Sequence, residues 1–508
     1  MTLPTHSLLY HFFYLLLLLA TALALPDAVW QPDAHDFMFV VGGIAIWRYL
    51  WAATNWVRSL IYTKLTFPKW RAQANEMGAS ALPPHIYLLV TSFRIDTETT
   101  RKVYHSIIAE AIEYANNHQL PVTMIASIVE RGDQFMIKQI LMQYELPHNM
   151  KIIFVRIGGT GKRDALACGF RAISRQLPPD DAIVAVIDGD SMLPENSLAK
   201  CASMFAILPN LGALTTDEVC EVAGAWHFRE WYNMRFAQRH IFMASVALSR
   251  RVLTLTGRMS MFRADIVCSN EFIDRVELDY VDHWRLGRFK FLTGDDKSSW
   301  FDVLKGGHEM IYVSDVQIIT IETPPNPSFF NSSIILMRRW FGNMLRTNDR
   351  AIKLGWRTCN FFPWISIIDQ RISMWTSLTG VVAAIIAAIA FSPIYLLYYG
   401  WWMLFTRYII TLSLLAGRDN VSVMYPFFLY YNQIIGSLVK TYVLFRLDKQ
   451  KWTRQNTTLN SGGVGMQEML KNAGSSYLQF LSYGVFVLVL ATLTGALPTP
   501  DFSYWLGK

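Results

Sequence analysis

Ala182-Ile-Val-Ala-Val-Ile-Asp188-Gly189-Asp190 is the stretch that decides the fold. Its apolar run, rich in Val and Ile, has the length of a strand buried on both faces, and it stops at two carboxylates around a glycine. Three similar runs precede it: His85-Ile-Tyr-Leu-Leu-Val-Thr91, Val122-Thr-Met-Ile-Ala-Ser-Ile-Val-Glu130 and Lys151-Ile-Ile-Phe-Val-Arg-Ile157. Helix-like stretches at about 98–118, 133–145 and 161–176 separate them. Strands alternating with helices predict βαβ units and a Rossmann-like α/β domain with a mostly parallel sheet.

In such a sheet ligands bind beyond the carboxyl ends of the strands. Those ends carry Thr91-Ser92-Phe93-Arg94, Glu130-Arg131-Gly132-Asp133, Gly158-Gly159-Thr160-Gly161-Lys162-Arg163 and Asp188-Gly189-Asp190. Asp188 and Asp190 suit a hard divalent cation that also binds a diphosphate, although an Asp-Gly turn is the plainer reading of the same residues. The Gly158–Lys162 loop lacks the glycine spacing and the Ser or Thr of a nucleoside-triphosphate loop. Its glycines and the Lys162-Arg163 pair at a helix start still favour a phosphate, and an ordinary basic helix start is the alternative. Glu130 could accept one N–H from uracil or two from guanine without choosing between them; a solvated strand-end acid reads equally well. Further on, Thr293-Gly294-Asp295-Asp296-Lys297 places two adjacent acids behind a glycine, either as a turn or as a reacting centre.

The rest of the chain is apolar enough to need a membrane. Hydrophobic residues make up 52% of the 508, and the mean hydropathy is +0.23. Apolar stretches at Leu8–Leu25, Phe37–Ile61, Met374–Phe391, Ile394–Leu415 and Tyr477–Leu497 approach the length of membrane-spanning helices. Arg58, Lys64, Lys69 and Arg71 follow the second span, so the positive-inside rule places the next domain in the cytoplasm. If Met424–Leu447 crossed the bilayer, Lys449, Lys451, Arg454 and Lys471 would lie outside, against that rule. With Asn432, Gln433 and Lys440 inside it, this segment reads as a helix at the cytoplasmic interface, leaving five spans and an external C-terminus. The formal charge of +7 fits an anionic leaflet or an anionic substrate, and no nucleic-acid partner is expected. Five widely spaced cysteines without a C-x-x-C indicate neither zinc nor a disulfide framework, and a reducing compartment is the simpler reading.

Six short motifs in order give the set a family resemblance. They are Gly161-Lys-Arg-Asp-Ala-Leu166, Asp188-Gly-Asp190, Thr256-Gly-Arg258, Gly294-Asp-Asp296, Arg338-Arg-Trp340 and Trp452-Thr-Arg454. Together they resemble the family 2 glycosyltransferases, specifically the processive membrane synthases of cellulose, chitin and hyaluronan. Leu336 departs from that family's Q-x-x-R-W motif, standing where Gln is expected. Thr293–Phe301, Met337–Leu345 and the two-span N-terminus are most similar to the alginate polymerase family. Those are inner-membrane catalytic subunits that make poly-β-1,4-mannuronate from GDP-mannuronic acid.

The resemblance implies a glycosyltransferase A-type α/β domain embedded in an α-helical transmembrane protein of the bacterial inner membrane, with the catalytic domain cytoplasmic. The expected layout is two N-terminal spans (1–62), a catalytic domain (63–330) with an amphipathic interface helix near 236–251, and an interface helix with the Arg-Arg-Trp motif (331–371). Two spans (372–416), an interface helix with a gating loop (417–475) and a last span (476–508) follow. By the same resemblance Asp190 and Asp188 hold Mg2+ or Mn2+. Thr91, Arg94, Glu130, Lys162, Asp188, Arg339 and Arg454 bind the nucleotide or its diphosphate. Asp296 is the general base supported by Asp295, Trp340 and Arg258 hold the acceptor, and Trp452, Thr453 and Arg454 form the gating loop. Arg258, Arg263, Arg285, Arg288, His308 and Arg338 are candidates for a uronate carboxylate. Implied partners are the GDP-mannuronic acid donor, the growing polysaccharide acceptor, a PilZ-domain subunit that binds cyclic-di-GMP, other export-complex proteins and the lipid bilayer. Competing readings are a UDP-sugar-dependent synthase, a non-processive transferase onto a lipid phosphate, and a transport or scaffold subunit without catalysis.

Overall fold

The computed structural model describes residues 5–30, 35–159, 161–452, 457–459 and 465–498. The chain divides into two units: residues 57–368 with 447–461, and residues 1–56 with 369–446 and 462–508.

The first unit is built on an eight-stranded sheet. In chain order its strands are β1 (Ile86–Thr91), β2 (Val122–Ile128), β3 (Met150–Arg156), β4 (Ile183–Asp188), β5 (Ser191–Met192), β6 (Leu211–Val222) and β7 (Met259–Arg263). A small separate hairpin, β8 (Tyr280–His283) and β9 (Gly287–Lys290), comes next, and β10 (Glu309–Glu322) completes the large sheet. The spatial order is β3-β2-β1-β4-β7-β6-β10-β5. The first four strands run parallel, as the alternating pattern predicts, with the helices Thr97–His118, Arg131–Leu141 and Lys162–Ser174 between them. β7 then enters antiparallel between β4 and β6, which makes the sheet mixed. Its central strands are buried except at Asp188, the end of β4, so the continuous Val and Ile runs reflect helices covering both faces.

Register brings the chemistry to one edge. Thr91 of β1 pairs with Ser127 of β2 and Asp188 of β4, so the strands end level with one another. The Gly189 N–H bonds the Thr91 carbonyl at 2.9 Å. A methyl at Gly189 would lie 2.6 Å from Ser92 Oγ and 2.8 Å from that carbonyl, so only glycine lets the turn after β4 close onto β1.

Two elements differ from their sequence-based bounds. The interface helix expected near 236–251 begins ten residues earlier, as Trp226–Ala247, and buries residues on most of its faces. The helix with the Arg-Arg-Trp motif extends over Phe329–Cys359, with a kink at Gly355 where φ is +78°. Among the described residues of the chain, the helical stretches Phe361–Ala390 and Met466–Leu493 are long and apolar enough to cross a membrane. The helices Leu8–Ala24, His35–Ile61 and Ile394–Ser413 fall at the other expected spans. In the second unit the helix Tyr425–Leu444 satisfies its polar groups internally: Arg407 Nε donates to Gln433 Oε1 at 3.0 Å, and Lys440 Nζ to Ser373 Oγ at 3.1 Å.

Candidate active site

One lysine joins the two acid motifs. Lys162, the first residue of its helix, places Nζ 2.6 Å from Asp188 Oδ1 and 3.0 Å from Asp295 Oδ2. A Cβ on Gly257 would sit 2.7 Å from Asp188 Oδ2 and 2.8 Å from Lys162 Nζ, so the Thr256-Gly-Arg258 motif passes this ion pair as bare backbone. Asp295 and Asp296 open the Asp295–Lys305 helix behind Gly294, whose φ of +89° is a left-handed conformation that suits glycine. The two acids therefore lie in the first turn, where the helix dipole favours negative charge.

Their environments set the acids apart. Burial pushes the Asp188 carboxyl up; Lys162 opposes this, while Asp190 and Asp295 add to it. Burial also raises Asp295, but Lys162 and Arg163 outweigh it and hold that carboxyl below its usual range. Asp296 goes the other way, raised by burial and by the adjacent Asp295 charge. Thr254 Oγ1 donates to its Oδ2 at 3.4 Å. One carboxylate of the pair is fixed as an anion and its neighbour is made more basic, a division that suits a supporting residue and a proton acceptor. Burial brings Lys297 down to about 8; its ammonium donates to the Leu253 carbonyl and lies 4.9 Å from the Trp300 ring centroid.

The acid turn is held from beneath by Arg163, which the sequence paired with Lys162 for a phosphate, and by Asn343 and Gln450, to which it gave no role. Buried Arg163 donates to the Val276 carbonyl at 2.8 Å, the Thr293 carbonyl at 3.2 Å and Ser298 Oγ at 3.1 Å. Asn343 accepts from Thr293 Oγ1 at 2.7 Å and from Arg346 Nη2 at 2.8 Å, and its side chain fills the space that a Cβ on Gly294 would need. The Gln450 side chain brackets the strand before the turn, accepting from the Leu292 N–H at 2.9 Å and donating to the Lys290 carbonyl at 2.8 Å. Asn343 falls three residues after the Arg-Arg-Trp motif; a single amide there gives no sequence signal of its own.

The other expected site residues are distributed as follows. Thr91 ends β1 with its hydroxyl buried and without a hydrogen-bond partner among the described residues. Exposed Arg94 has a φ of +47° and lies over Phe93, and Glu130 is exposed at the start of the Arg131–Leu141 helix. Arg258 is already paired, with Glu218 at 2.9 Å and Glu322 at 2.7 Å. Trp340 is half-buried, and its ring meets Trp231 (centroids 5.8 Å apart, 26° between planes), Tyr232 and the Arg235 guanidinium, all from the Trp226–Ala247 helix. Arg339 is half-buried, and Leu336, at the departed Gln position, is 4% exposed. Trp452 pairs with Thr457 in a short ladder between Gln450–Trp452 and Thr457–Leu459, while Thr453 and Arg454 lie outside the described residues.

Asp188 and Asp190 offer carboxylate oxygens, the donors a hard divalent cation prefers, at a strand end where the Asp190 charge helps raise the Asp188 carboxyl. Among the described residues no group of three or more His, Cys, Asp or Glu side chains surrounds one point. These two acids therefore fit an ion that draws its remaining ligands from a diphosphate and water.

A mixed sheet with acids at the carboxyl edge and a phosphate-suited lysine between them defines a nucleotide-sugar transferase fold. The model of the family described as "Glycosyltransferase like family 2" matches residues 83–343, from β1 to Asn343. The chain is 48% identical over 481 residues to "Glycosyltransferase alg8" of Pseudomonas syringae pv. tomato, covering 95% of this chain and 97% of that one. It is 46% identical over 477 residues to "Glycosyltransferase alg8" of Azotobacter vinelandii, covering 94% and 96%. The chain belongs to the family 2 glycosyltransferases, within the alg8 group, which is the membership that its motifs led to. Among solved structures it is similar to the mannosyltransferase PcManGT from Pyrobaculum calidifontis, solved with GDP-Man and Mn2+. That match has a TM-score of 0.47 and 16% identity, over 80% of this chain and 98% of that one.

Proposed function

We propose that the protein is a processive inverting transferase that adds mannuronate from GDP-mannuronate to a growing β-1,4-linked polymannuronate, the precursor of alginate, and passes the polymer across the bacterial inner membrane. The observation that carries the reading is the Lys162 bridge, which ties the strand-end acid Asp188 to Asp295, next to the basic-shifted Asp296. The two alg8 relatives, alike over nearly the whole chain, support the glycosyltransferase class, and the choice of polymer follows the resemblance of Thr293–Phe301 and Met337–Leu345 to the alginate polymerases.

In this reading Asp296 takes the proton of the acceptor hydroxyl as its oxygen bonds the donor's anomeric carbon. The bond from that carbon to the diphosphate breaks, and the electron pair leaves with GDP. Lys162 lies where it can share its charge with the departing diphosphate, with Arg339 and Arg454 as further cations. Asp188 and Asp190 would hold Mg2+ or Mn2+, which when bound supplies positive charge to the leaving group. Thr91, Arg94 and Glu130 surround the nucleotide, and Trp340 supports the acceptor sugar. Trp452, Thr453 and Arg454 cover the nucleotide as a gating loop. A PilZ-domain subunit that binds cyclic-di-GMP, together with export proteins, completes the assembly.

The test is incorporation of labelled mannuronate from GDP-mannuronate by membranes holding this protein, with and without the PilZ-domain subunit and with UDP-sugars as competitors. Polymer that depends on GDP-mannuronate supports the reading. Incorporation only from a UDP-sugar makes the protein a synthase of the hyaluronan, chitin or cellulose type instead.

A further inference from the structure

Two hydrogen-bonding groups beside Trp340 have no acceptor among the described residues. The Arg235 guanidinium carbon lies 4.1 Å from the Trp340 ring centroid and 5.1 Å from that of Trp231. Beyond this stacking, Arg235 makes neither a hydrogen bond nor an ion pair among the described residues. Its neighbours on the same helix and across from it are paired: Arg239 with Glu218, and Arg258 with Glu218 and Glu322. Tyr232, 1% exposed, stands edge-on to Trp340, and its hydroxyl has no partner among the described residues. A buried hydroxyl left unsatisfied is unusual, because buried polar groups nearly always find partners, and the half-buried Arg235 guanidinium beside it is open to a ligand.

The chemistry of the missing partner follows from the geometry. Stacking on an indole uses the face of a guanidinium and leaves its N–H groups free in the plane, where they match a carboxylate in a forked pair. Burial lowers Arg235 to about 10, so it stays charged at neutral pH. Neutral hexoses present only hydroxyls; a uronate adds a carboxylate, which can accept from both donors.

We propose that Arg235, stacked on Trp340 and about one helical turn from Tyr232, binds the carboxylate of an acidic sugar in the acceptor chain and so selects an anionic acceptor over a neutral one. The proposal rests on Trp340 lying at the acceptor site, as in the function proposed above. It also supplies a cation that sequence reasoning missed, because Arg235 lies in a stretch that reads as the edge of an amphipathic helix.

Isothermal titration of the purified full-length protein in detergent tests it, using oligomannuronate, a neutral β-1,4-mannan oligomer of equal length, and GDP. The wild type should bind the oligomannuronate at least about 10-fold more tightly than the neutral oligomer, as expected for a charge-assisted pair. Arg235→Gln should abolish that preference while leaving the neutral oligomer and GDP unchanged, and Arg235→Lys should restore part of it. Three results overturn the proposal: no preference in the wild type, an undiminished preference in Arg235→Gln, or a parallel loss of all three ligands, which marks a structural stack. None of these measurements involves donor turnover, so failure of the GDP-mannuronate assay is registered separately.

Discussion

Gly257 illustrates how tightly single residues constrain this site. A methyl there would press on the ends of two side chains, Asp188 Oδ2 and Lys162 Nζ, which can move without disturbing the strands behind them. Gly257→Ala should therefore keep the fold and displace the ion pair. We expect a rate loss on the order of 10²-fold, the scale of an ångström-sized misplacement, with little change in unfolding temperature. A variant that transfers sugar at the wild-type rate would show that the Lys162 bridge is dispensable. For Asp296 the relevant quantity is the proton. Asp296→Asn should lower kcat by about 10²- to 10⁴-fold. A base works only when ionised, and burial beside Asp295 raises the Asp296 pKa, so the acid limb of kcat/KM should lie above the ordinary carboxylate value of about 3.9. Asp295, held low by Lys162 and Arg163, stays charged through that limb. An acid limb at or below the ordinary value in a pH profile would exclude Asp296 as the titrating base.

At the scale of elements, the acid turn depends on Arg163 as much as on its own residues. The guanidinium is 4% exposed and donates to acceptors on both sides of the turn. Arg163→Met fills similar space but leaves those acceptors unpaired, and should destabilise the catalytic domain by about 2–4 kcal/mol, read as a lower denaturant midpoint. The first four strands were legible because parallel strands covered on both faces become unbroken Val and Ile runs. β6 and β10 were not. β6 contains Thr215-Thr216-Asp217-Glu218, which looks like a loop until ion pairs and hydrogen bonds bury it: Tyr312 Oη donates to Asp217 at 2.6 Å, and Arg258 pairs with Glu218. Polar strands satisfied by distant partners carry no local signal. For the same reason nothing in the sequence signalled that Arg258 pairs with two carboxylates or that Arg235 stacks on indole. The acids at the strand ends were readable because they fall where hydrophobic runs stop; Asn343, Arg163 and Gln450 act through contacts across long stretches of chain.

Across the whole molecule, the path of the chain constrains which helices cross the bilayer. The stretch Phe361–Ala390 leaves from residues belonging to the catalytic unit, and Leu447–Ser461 belongs to that unit again. The return is anchored by side chains: Arg346 Nη1 bonds the Leu447 carbonyl at 3.1 Å, and Gln450 brackets Lys290 and Leu292. Between departure and return lie two helices of 20 residues each, Ile394–Ser413 and Tyr425–Leu444, each about 30 Å long. If Phe361–Ala390 crosses outward, one inward crossing must match it before the chain rejoins the catalytic unit, so one of these two would span and the other would not. Tyr425–Leu444 contains Gln433 and Lys440, which are costly in lipid, and we expect it to lie on the cytoplasmic side while Ile394–Ser413 crosses. Asp419 and Lys449 flank it and are both exposed. Asp419→Cys and Lys449→Cys should then both react with a membrane-impermeant maleimide only in inverted vesicles or after permeabilisation. Labelling of Asp419→Cys from outside intact cells, with Lys449→Cys still protected, would make Tyr425–Leu444 the crossing helix and move Ile394–Ser413 to the outer face.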